Sequence, residues 1–339
     1  MNIKIKTFKQ IYYPQEQIEH PIFVPTGVFI QSFEFVRSNT VKVSGYVWQK
    51  ISEKDLKSGI TPGIVFPEAN EHVDIKLAYK IDYPDYKVFG WNFTGVSLLQ
   101  RFDYSTFPFD IHAIWIRLWA KDFERNVVLV PDLISYDSTS VGKVFGLEKD
   151  IIKQGFDIQE TFFDMPAMVY DSDFGIASDV GQKASLEFYF NIVLKRDLFT
   201  PFIIHLLPLF LIWCILFFVT MMVTVDKHQN RETAATATNL FAVLDATVFS
   251  VLILHIGFRR SFVDQPLLYL EYFYLITYIL IIIIAYDVYN VTTNLKATRL
   301  IKRNLLPKTW FWPGLLLAVL VITIIEFFII PHESIHWYN

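Results

Sequence analysis

The chain has 339 residues, of which 53% are hydrophobic and 17% aromatic, and its formal net charge is −4. A mean hydropathy of +0.35 is too high for an ordinary soluble protein, yet 19% charged residues are too many for a chain lying wholly in lipid. The small net charge decides nothing about a nucleic-acid partner, and no basic stripe suggests one. The single cysteine, Cys214, excludes a disulfide within the chain.

Residues 1–197 carry most of the charge and a strand-like pattern. Two alternating stretches, 28–36 and 41–51, flank a turn-forming cluster at 37–40 and predict a hairpin. Further strands are predicted at 72–82, 86–102, 112–119, 126–134, 155–163 and 184–194. Short strands joined by Pro, Gly, Asn and Asp are typical of an antiparallel, immunoglobulin-like β-sandwich. We therefore expect residues 1–197 to form one such domain.

The first residues contain no apolar stretch of the kind found in a signal peptide. If the β-domain is exported, we expect the signal peptide, or a further domain, to lie upstream.

Residues 198–339 contain four long apolar runs. They predict transmembrane helices M1 at 199–225, M2 at 232–257, M3 at 267–290 and M4 at 310–331. M1 contains Pro208, which can kink it. Basic residues cluster in the M1–M2 and M3–M4 loops, which places those loops in the cytoplasm and the β-domain on the other side. These loop residues are Lys227, Arg231, Lys296, Arg299, Lys302, Arg303 and Lys308.

M2 carries more polar residues than is favourable for a helix surrounded by lipid on all sides. At about 100° per residue, its polar side chains gather into one stripe that should face water. The stripe contains Glu232, Thr236, Asn239, Val243, Thr247 and Ser250, with Thr233 and Leu240 at its edge. One helix with one wet face cannot enclose a pore, so several copies must meet.

Several motifs resemble those of the pentameric ligand-gated ion channels. Phe107, Pro108, Phe109 and Asp110 look like the signature loop of that family, which sits at the base of the sandwich facing the membrane. Arg196 before M1 and Pro208 inside it are similar to the family's pre-helix Arg and first-helix Pro. The stretch 45–51, GYVWQKI, resembles the second strand, whose Trp reaches the subunit interface. The resemblance covers residues 25–331 and implies a homopentamer, with four identical subunits joining each chain around a central pore.

Two departures resemble the prokaryotic branch of that family. By spacing, Gln100 and Ile114 stand where eukaryotic members carry the two cysteines that bracket the loop. Residues 288–309 take the place of the long domain that eukaryotic members usually insert between M3 and M4. The resemblance therefore implies a bacterial inner-membrane channel with a periplasmic β-domain.

Glu232 lies at the cytoplasmic end of the stripe, where five copies would form a ring of carboxylates that attracts monovalent cations. The alternative is a membrane-flanking acid neutralised by Arg231. Rings of Leu240 and Val243 can close a pore by dewetting, although both can also be ordinary packing residues.

Asp245 lies roughly opposite the stripe, where a charged carboxylate costs about 2.5–3.5 kcal/mol. We expect it to be protonated or paired, with His205, Thr277 and Tyr278 as candidate partners. One hypothesis is that it titrates during gating; the other is a satisfied structural acid.

The resemblance implies a charged seam in which Asp110 and Arg196 meet the M2–M3 linker, residues 257–266. Asp103, Arg259 and Pro266 join this coupling set with the loop residues Phe107, Pro108 and Phe109. Movement of the β-domain would bias the pore helix through this seam. A static ion pair between Asp110 and Arg196 is the alternative.

The resemblance also places an agonist site, for an unknown small molecule or ion, between neighbouring β-domains. The expected ligand-binding residues are Trp48, Phe66, Glu68, Asp122, Phe123, Tyr170, Asp171, Asp173 and Phe174. Clustered carboxylates suit Ca²⁺. A calcium site that modulates the channel is therefore a hypothesis for Glu68, Asp122, Glu124, Asp171 and Asp173, against a plain solvated acidic surface.

Catalytic patterns and cofactor motifs are absent from the sequence, so an enzyme is not expected. The rival to a channel is a periplasmic sensor or adhesion domain on a four-helix anchor that never conducts. An anchor has no need of the wet stripe on M2, and that stripe favours the channel.

Overall fold

The structure is a computed structural model that describes residues 21–123, 125–172, 174, 184–223, 232–292 and 305–330. For residues 184–185, 232–237 and 291–292 only the backbone is described. The predicted site residues Glu124 and Asp173 lie outside the described residues, as do the side chains of Glu232, Thr233 and Thr236.

The chain forms two compact units. The described residues of 21–102 and 111–195 build a β-rich unit, and those of 103–110 and 196–330 build a helical unit. The division after residue 195 lies close to the boundary expected at 197. The segment 103–110, which holds the Phe-Pro-Phe-Asp motif, belongs to the helical unit.

The β-rich unit contains three sheets. A five-stranded sheet has the order β4-β5-β2-β1-β7, a four-stranded sheet has the order β3-β6-β11-β8, and β10 pairs with β9. The strands are β1 Ile22–Arg37, β2 Thr40–Ser52, β3 Ile64–Val65, β4 Ile75–Asp82, β5 Tyr86–Leu99, β6 Ile111–Ala120, β7 Val127–Pro131, β8 Phe156–Asp164, β9 Ala167–Val169, β10 Ala184–Leu186 and β11 Phe188–Arg196. A short helix α1, Glu53–Lys57, follows β2.

Most predicted strands are present, with two differences. The short strands β3 and β9 were not expected, because two or three residues are too few to show alternation. The pairing of β1 with β7 is parallel, whereas an antiparallel unit was predicted. Pro131 ends β7 at the sheet edge, where a residue without an N–H group is tolerated.

Alternation along the strands sorts the side chains of the β-rich unit. In β6, His112, Ile114, Ile116 and Leu118 are buried, and the residues between them are half-buried. Successive side chains of a strand point to opposite faces, so Trp115, Arg117 and Trp119 share the face away from the core. The largest fully buried side chains of this unit include Ile30, Phe93, Ile114, Ile116, Phe188 and Phe190.

Within the described residues, the helical unit has four helices that are long and apolar enough to cross a membrane. They are α2 Phe199–Met222, α3 Glu232–Arg260, α4 Tyr269–Thr292 and α5, which runs from Leu305 to Ile329. The segment Phe202–Leu206 of α2 is a π-helix. This wider turn directly precedes Pro208, whose ring would clash with a carbonyl one turn earlier in a regular α-helix.

Aromatic and polar contacts join three of these helices, α2, α4 and α5. Trp213 of α2 donates from Nε1 to Thr277 Oγ1 of α4 at 2.8 Å. Phe217 of α2 packs on Phe311 of α5, with ring centroids 5.4 Å apart. The hydroxyls of Tyr269 and Thr323 join α4 to α5 at 2.8 Å. A hydrogen bond between spans is favoured in lipid because water is not available as an alternative partner.

Candidate functional site

The β-rich unit holds a small aromatic cavity at the end of β6. Its volume is about 90 Å³, which leaves room for several waters or a small organic group. Two walls come from β6 with the turn after it, and from the segment after β9. The aromatic and acidic residues that line it are Trp119, Asp122, Phe123, Tyr170, Phe174 and Glu187.

The four aromatic rings touch one another edge to face. The Trp119 ring lies about 6 Å from the rings of Phe123, Tyr170 and Phe174. Tyr170 and Phe174 are 5.4 Å apart. Aromatic rings present negative faces, so a group of them surrounding a cavity favours a cation.

Glu187 forms the acidic floor of this cavity and is 2% exposed. Its carboxylate accepts hydrogen bonds from Arg117 Nη1 at 3.0 Å, Trp119 Nε1 at 2.9 Å and Tyr189 Oη at 3.2 Å, and from the Tyr170 hydroxyl. The strand register explains the arrangement, because Arg117 of β6 lies directly opposite Tyr189 of β11. Four donors therefore converge on this one buried carboxylate.

Arg117 ties the floor to the loop after β3. Its guanidinium contacts the Glu68 carboxylate as well as Glu187, and its Cζ lies 5.3 Å from the Trp119 ring. Burial alone would lower the pKa of Arg117, but the surrounding Tyr189, Glu187 and Glu68 raise it above its usual value. The arginine therefore stays charged and supplies a built-in cation beside the aromatic wall.

The structure brings together four of the nine expected ligand-binding residues, namely Asp122, Phe123, Tyr170 and Phe174. The others do not line the cavity. Phe66 packs on Phe93 in the core at 5.0 Å, Trp48 donates to Asp132 at 2.9 Å, Asp171 is exposed, and Asp173 is outside the described residues. Glu68 contacts the site only through Arg117.

Sequence reasoning missed Arg117, Trp119 and Glu187. The first two follow from the alternation of β6, which puts Arg117 and Trp119 on the face opposite Ile116. No local signal identifies Glu187, because its burial depends on donors from β6, β11 and the segment after β9.

Two of the described candidate calcium ligands, Glu68 and Asp122, are bound to other partners. Asp122 accepts hydrogen bonds from the Thr61 amide at 2.9 Å and from Arg125 Nη1 at 3.2 Å. Among the described residues, no three His, Cys, Asp or Glu side chains converge on a point where a metal could bind. A calcium site would therefore need Glu124 or Asp173, and it stays a prediction.

The helical unit contains a second candidate site around residues 103–110. Arg196 donates two hydrogen bonds to the Asp110 carboxylate, from Nε to Oδ1 at 2.8 Å and from Nη2 to Oδ2 at 2.8 Å. Asp110 is 1% exposed. The Arg196 guanidinium also lies 4.9 Å from the ring of Phe107. The expected pair thus forms, in the bidentate geometry that is strongest for arginine and a carboxylate.

Phe107 attaches this loop to the end of the pore-helix candidate α3. Its ring lies 5.5 Å from that of Phe258 and 5.1 Å from that of Phe262, and 6.0 Å from the ring of His205 on α2. Phe107 itself is 4% exposed. The cis peptide bond between Phe107 and Pro108 lies in the same turn. Close aromatic packing means that a shift of the loop must displace the end of α3.

Phe109 attaches the same loop to α4 and α5. It lies about 6 Å from the rings of Tyr269 and Phe327. The backbone adds a hydrogen bond from the Tyr269 amide to the Ser105 carbonyl at 2.7 Å. Asp103, another expected coupling residue, is exposed and accepts from the Ser105 amide at 2.9 Å.

Arg259 holds the corner between α3 and α4. It donates to both carboxylate oxygens of Glu271, at 3.3 and 3.1 Å, and to the carbonyls of Gln265 and Pro266. Glu271 is 2% exposed and also accepts from the Leu268 amide at 2.9 Å. Arg259, one of the expected coupling residues, therefore pairs with Glu271 in the structure.

The exposed and buried faces of α3 locate its wet stripe. Asn239, Val243 and Ser250 are exposed, as the stripe predicts. Leu240 and Thr247 are each only 6% exposed, and Thr247 donates to the Val243 carbonyl at 2.8 Å. These two residues therefore lie on a side of α3 that packs within the chain. They do not share the uncovered face of Asn239.

Asp245 is exposed on the single chain, and its expected partners are bound elsewhere. Thr277 accepts from Trp213, Tyr278 contacts His255 Nδ1 at 3.3 Å, and His205 packs on Phe258. The expectation that Asp245 faces the first or third span therefore does not match its exposure.

No family model matches the sequence, and no curated protein is significantly similar to it. The functional argument therefore depends on the residues and their geometry.

Proposed function

We infer that the chain is one subunit of a ligand-gated, cation-selective channel, a homopentamer similar to the prokaryotic pentameric ligand-gated channels. In this proposal the β-rich unit is an immunoglobulin-like sandwich in the periplasm, α2 to α5 are M1 to M4 in the bacterial inner membrane, and M2 lines the pore.

The uncovered face of α3 carries this inference. Asn239, Val243, Ala246 and Ser250 follow one another at helical spacing on this face, and all are exposed although the helix is apolar enough to span a membrane. An amide on the outer face of a spanning helix, such as that of Asn239, needs water or a neighbouring subunit as a hydrogen-bond partner. Copies of this face around an axis would supply both.

Ionic selectivity in this proposal comes from Glu232. Continuing the helical pattern by seven residues from Asn239 brings Glu232 to the same face. A ring of carboxylates raises the local concentration of cations and repels anions.

The aromatic cavity is the proposed agonist site, and a small organic cation is the ligand class that suits it best. Trp119, Tyr170, Phe123 and Phe174 provide ring contacts, and Glu187 provides the negative floor. Cavities that bind ligands commonly combine apolar walls with a few placed polar groups. A neighbouring subunit would close the open side in the pentamer.

The proposed coupling path follows the chain from the cavity towards M2. Strands β6 and β11 carry Arg117 and Tyr189, and they pair in register as far as Ile111 and Lys195. The next residues in the chain are Asp110 and Arg196. A change at the cavity can thus reach the Phe107 contacts with α3 through two paired strands.

Ion flux into liposomes tests this function against the rival of a non-conducting sensor or adhesion domain. The full chain, purified and reconstituted, should admit monovalent cations when tetramethylammonium is added as a probe, and calcium and pH should be varied in parallel. Flux indistinguishable from that of empty liposomes under every condition would favour the membrane-anchor alternative.

A further inference from the structure

Two buried carboxylates share one arginine beneath the aromatic cavity. Arg117 contacts Glu68 through Nη2 and Glu187 through Nη1. The side chains of Arg117, Glu68 and Glu187 are 18%, 9% and 1% exposed. With both acids ionised, this triad carries one net negative charge in a place where water screens it poorly.

The two carboxylates are unequally supported. Glu187 accepts from four donors, whereas the Glu68 side chain is held by Arg117. Glu68 Oε2 is buried and, within the described part of the chain, has no hydrogen-bond partner. A buried carboxylate oxygen without a donor is more costly to bury when the group is charged than when it is protonated. Glu68 is therefore the member of the triad that should accept a proton first.

The surrounding groups agree with this assignment. Burial raises the pKa of Glu68 above 4.5, and the opposing attraction of Arg117 does not cancel that effect. Glu187 beside it adds a repulsive charge in the same direction. The other titratable groups that face the triad are Tyr189 from β11 and Tyr170 after β9. Burial raises the pKa of both phenols, so neither ionises in the acid or neutral range.

We propose that Glu68 is a proton-binding site that sets the charge beneath the aromatic cavity, so that a proton bound there opposes the binding of a cation in the cavity. With Glu68 ionised, Arg117 is shared between two acids and the floor is negative. With Glu68 protonated, Arg117 neutralises Glu187 and the floor has no net charge. The cation half of this proposal rests on the proposed agonist site; the proton half does not.

Thermal unfolding against pH tests the proton half directly. A raised pKa means that the folded chain binds the proton more tightly than the unfolded chain. This stabilisation is complete below the unfolded pKa and is lost as the pH rises through the folded pKa. Glu68→Gln is permanently neutral and lacks this loss. The melting temperature of Glu68→Gln minus that of the wild type should therefore increase between about pH 5 and about pH 8.

Glu71→Gln is the matched control, because Glu71 lies three residues along the same loop and is exposed. Its difference from the wild type should not change over that range. The same flat profile for Glu68→Gln would overturn the proposal. If Glu68→Gln does not fold, Glu68→Ala removes the same carboxylate and is measured in the same way.

Calorimetric titration with tetramethylammonium tests the cation half. The wild type should bind this probe several-fold more weakly at about pH 5 than at about pH 8, and Glu68→Gln should bind weakly at both. Equal pH dependence in the two proteins would overturn the link between proton and cation. Absence of binding at every pH would instead reject the proposed agonist class, and the unfolding profile would still decide the proton site.

Discussion

Arg196 and Asp110 form a buried, bidentate ion pair in the helical unit. Two parallel hydrogen bonds of 2.8 Å join them, and Asp110 is 1% exposed. The Arg196 side chain is 16% exposed and lies over the Phe107 ring. Because both charges are largely removed from water, replacing either residue by a neutral one should destabilise the folded chain.

Replacement of Asp110 by Asn should destabilise the helical unit by about 3–5 kcal/mol, because it removes the charge of the carboxylate that Arg196 contacts through two hydrogen bonds. Thermal unfolding of the purified full chain measures this. The matched control is Asp103→Asn, at an exposed acid in the same loop, which should change stability by less than about 0.5 kcal/mol. Equal changes in stability in the two variants would show that the Asp110–Arg196 ion pair does not stabilise the helical unit.

Phe107 should transmit movement to the end of α3. We expect Phe107→Ala to leave tetramethylammonium binding unchanged and to reduce the current at saturating probe, because the contacts with Phe258 and Phe262 are lost. Calorimetry and bilayer currents on the same preparation separate the two effects. Parallel losses of binding and current would contradict a coupling role. Phe66→Ala, in the core of the β-rich unit, controls for a general loss of packing.

The sequence predicted those parts of the fold that depend on local pattern. Alternation identified the long strands, and apolar length identified the four helices, whose described bounds differ from the predicted ones mainly at the ends. The Asp110–Arg196 pair was also predictable, since the resemblance specified both partners. The chain's own pattern could not reveal the parallel pairing of β1 with β7, because strand direction depends on contacts between distant segments.

The candidate cavity was predicted only in part for the same reason. Phe123 and Tyr170 could be placed from the order of the loops, but three of the four donors to Glu187 are 17 to 70 positions away in the chain. On α3, three of the residues that helical periodicity assigned to the stripe, Asn239, Val243 and Ser250, are exposed. Periodicity could not decide which edge of the stripe is buried within the chain, and Leu240 and Thr247 are on that edge.

Trp119 should contribute most of the cation affinity of the cavity. Its loss in Trp119→Ala removes a cation–π contact of about 0.5–2 kcal/mol and one of the donors to Glu187. We expect tetramethylammonium to bind about ten-fold more weakly. Trp115→Phe is the control, since Trp115 shares the strand face but does not line the cavity. Unchanged affinity of Trp119→Ala for tetramethylammonium would show that the probe does not bind in this cavity.

Replacement by threonine should have different effects at Val243 and at Leu240. Val243 is 40% exposed on the uncovered face, so Val243→Thr should wet a closed pore and increase its open probability. Leu240 is 6% exposed, so Leu240→Thr should destabilise the chain by about 1–3 kcal/mol without that gain in current. Single-channel recording and thermal unfolding distinguish the two. Increased opening in Leu240→Thr alone would assign the pore face to the other edge of the stripe.

Reversal potential in a planar bilayer under a potassium chloride gradient is the most direct test of the central claim, that copies of α3 enclose a cation-selective pore. The wild type should reverse close to the potassium equilibrium potential, and Glu232→Gln should reverse nearer to zero, because the ring of carboxylates is lost. Reversal of the wild type at the chloride equilibrium potential, or no current with tetramethylammonium at any pH, would contradict the account.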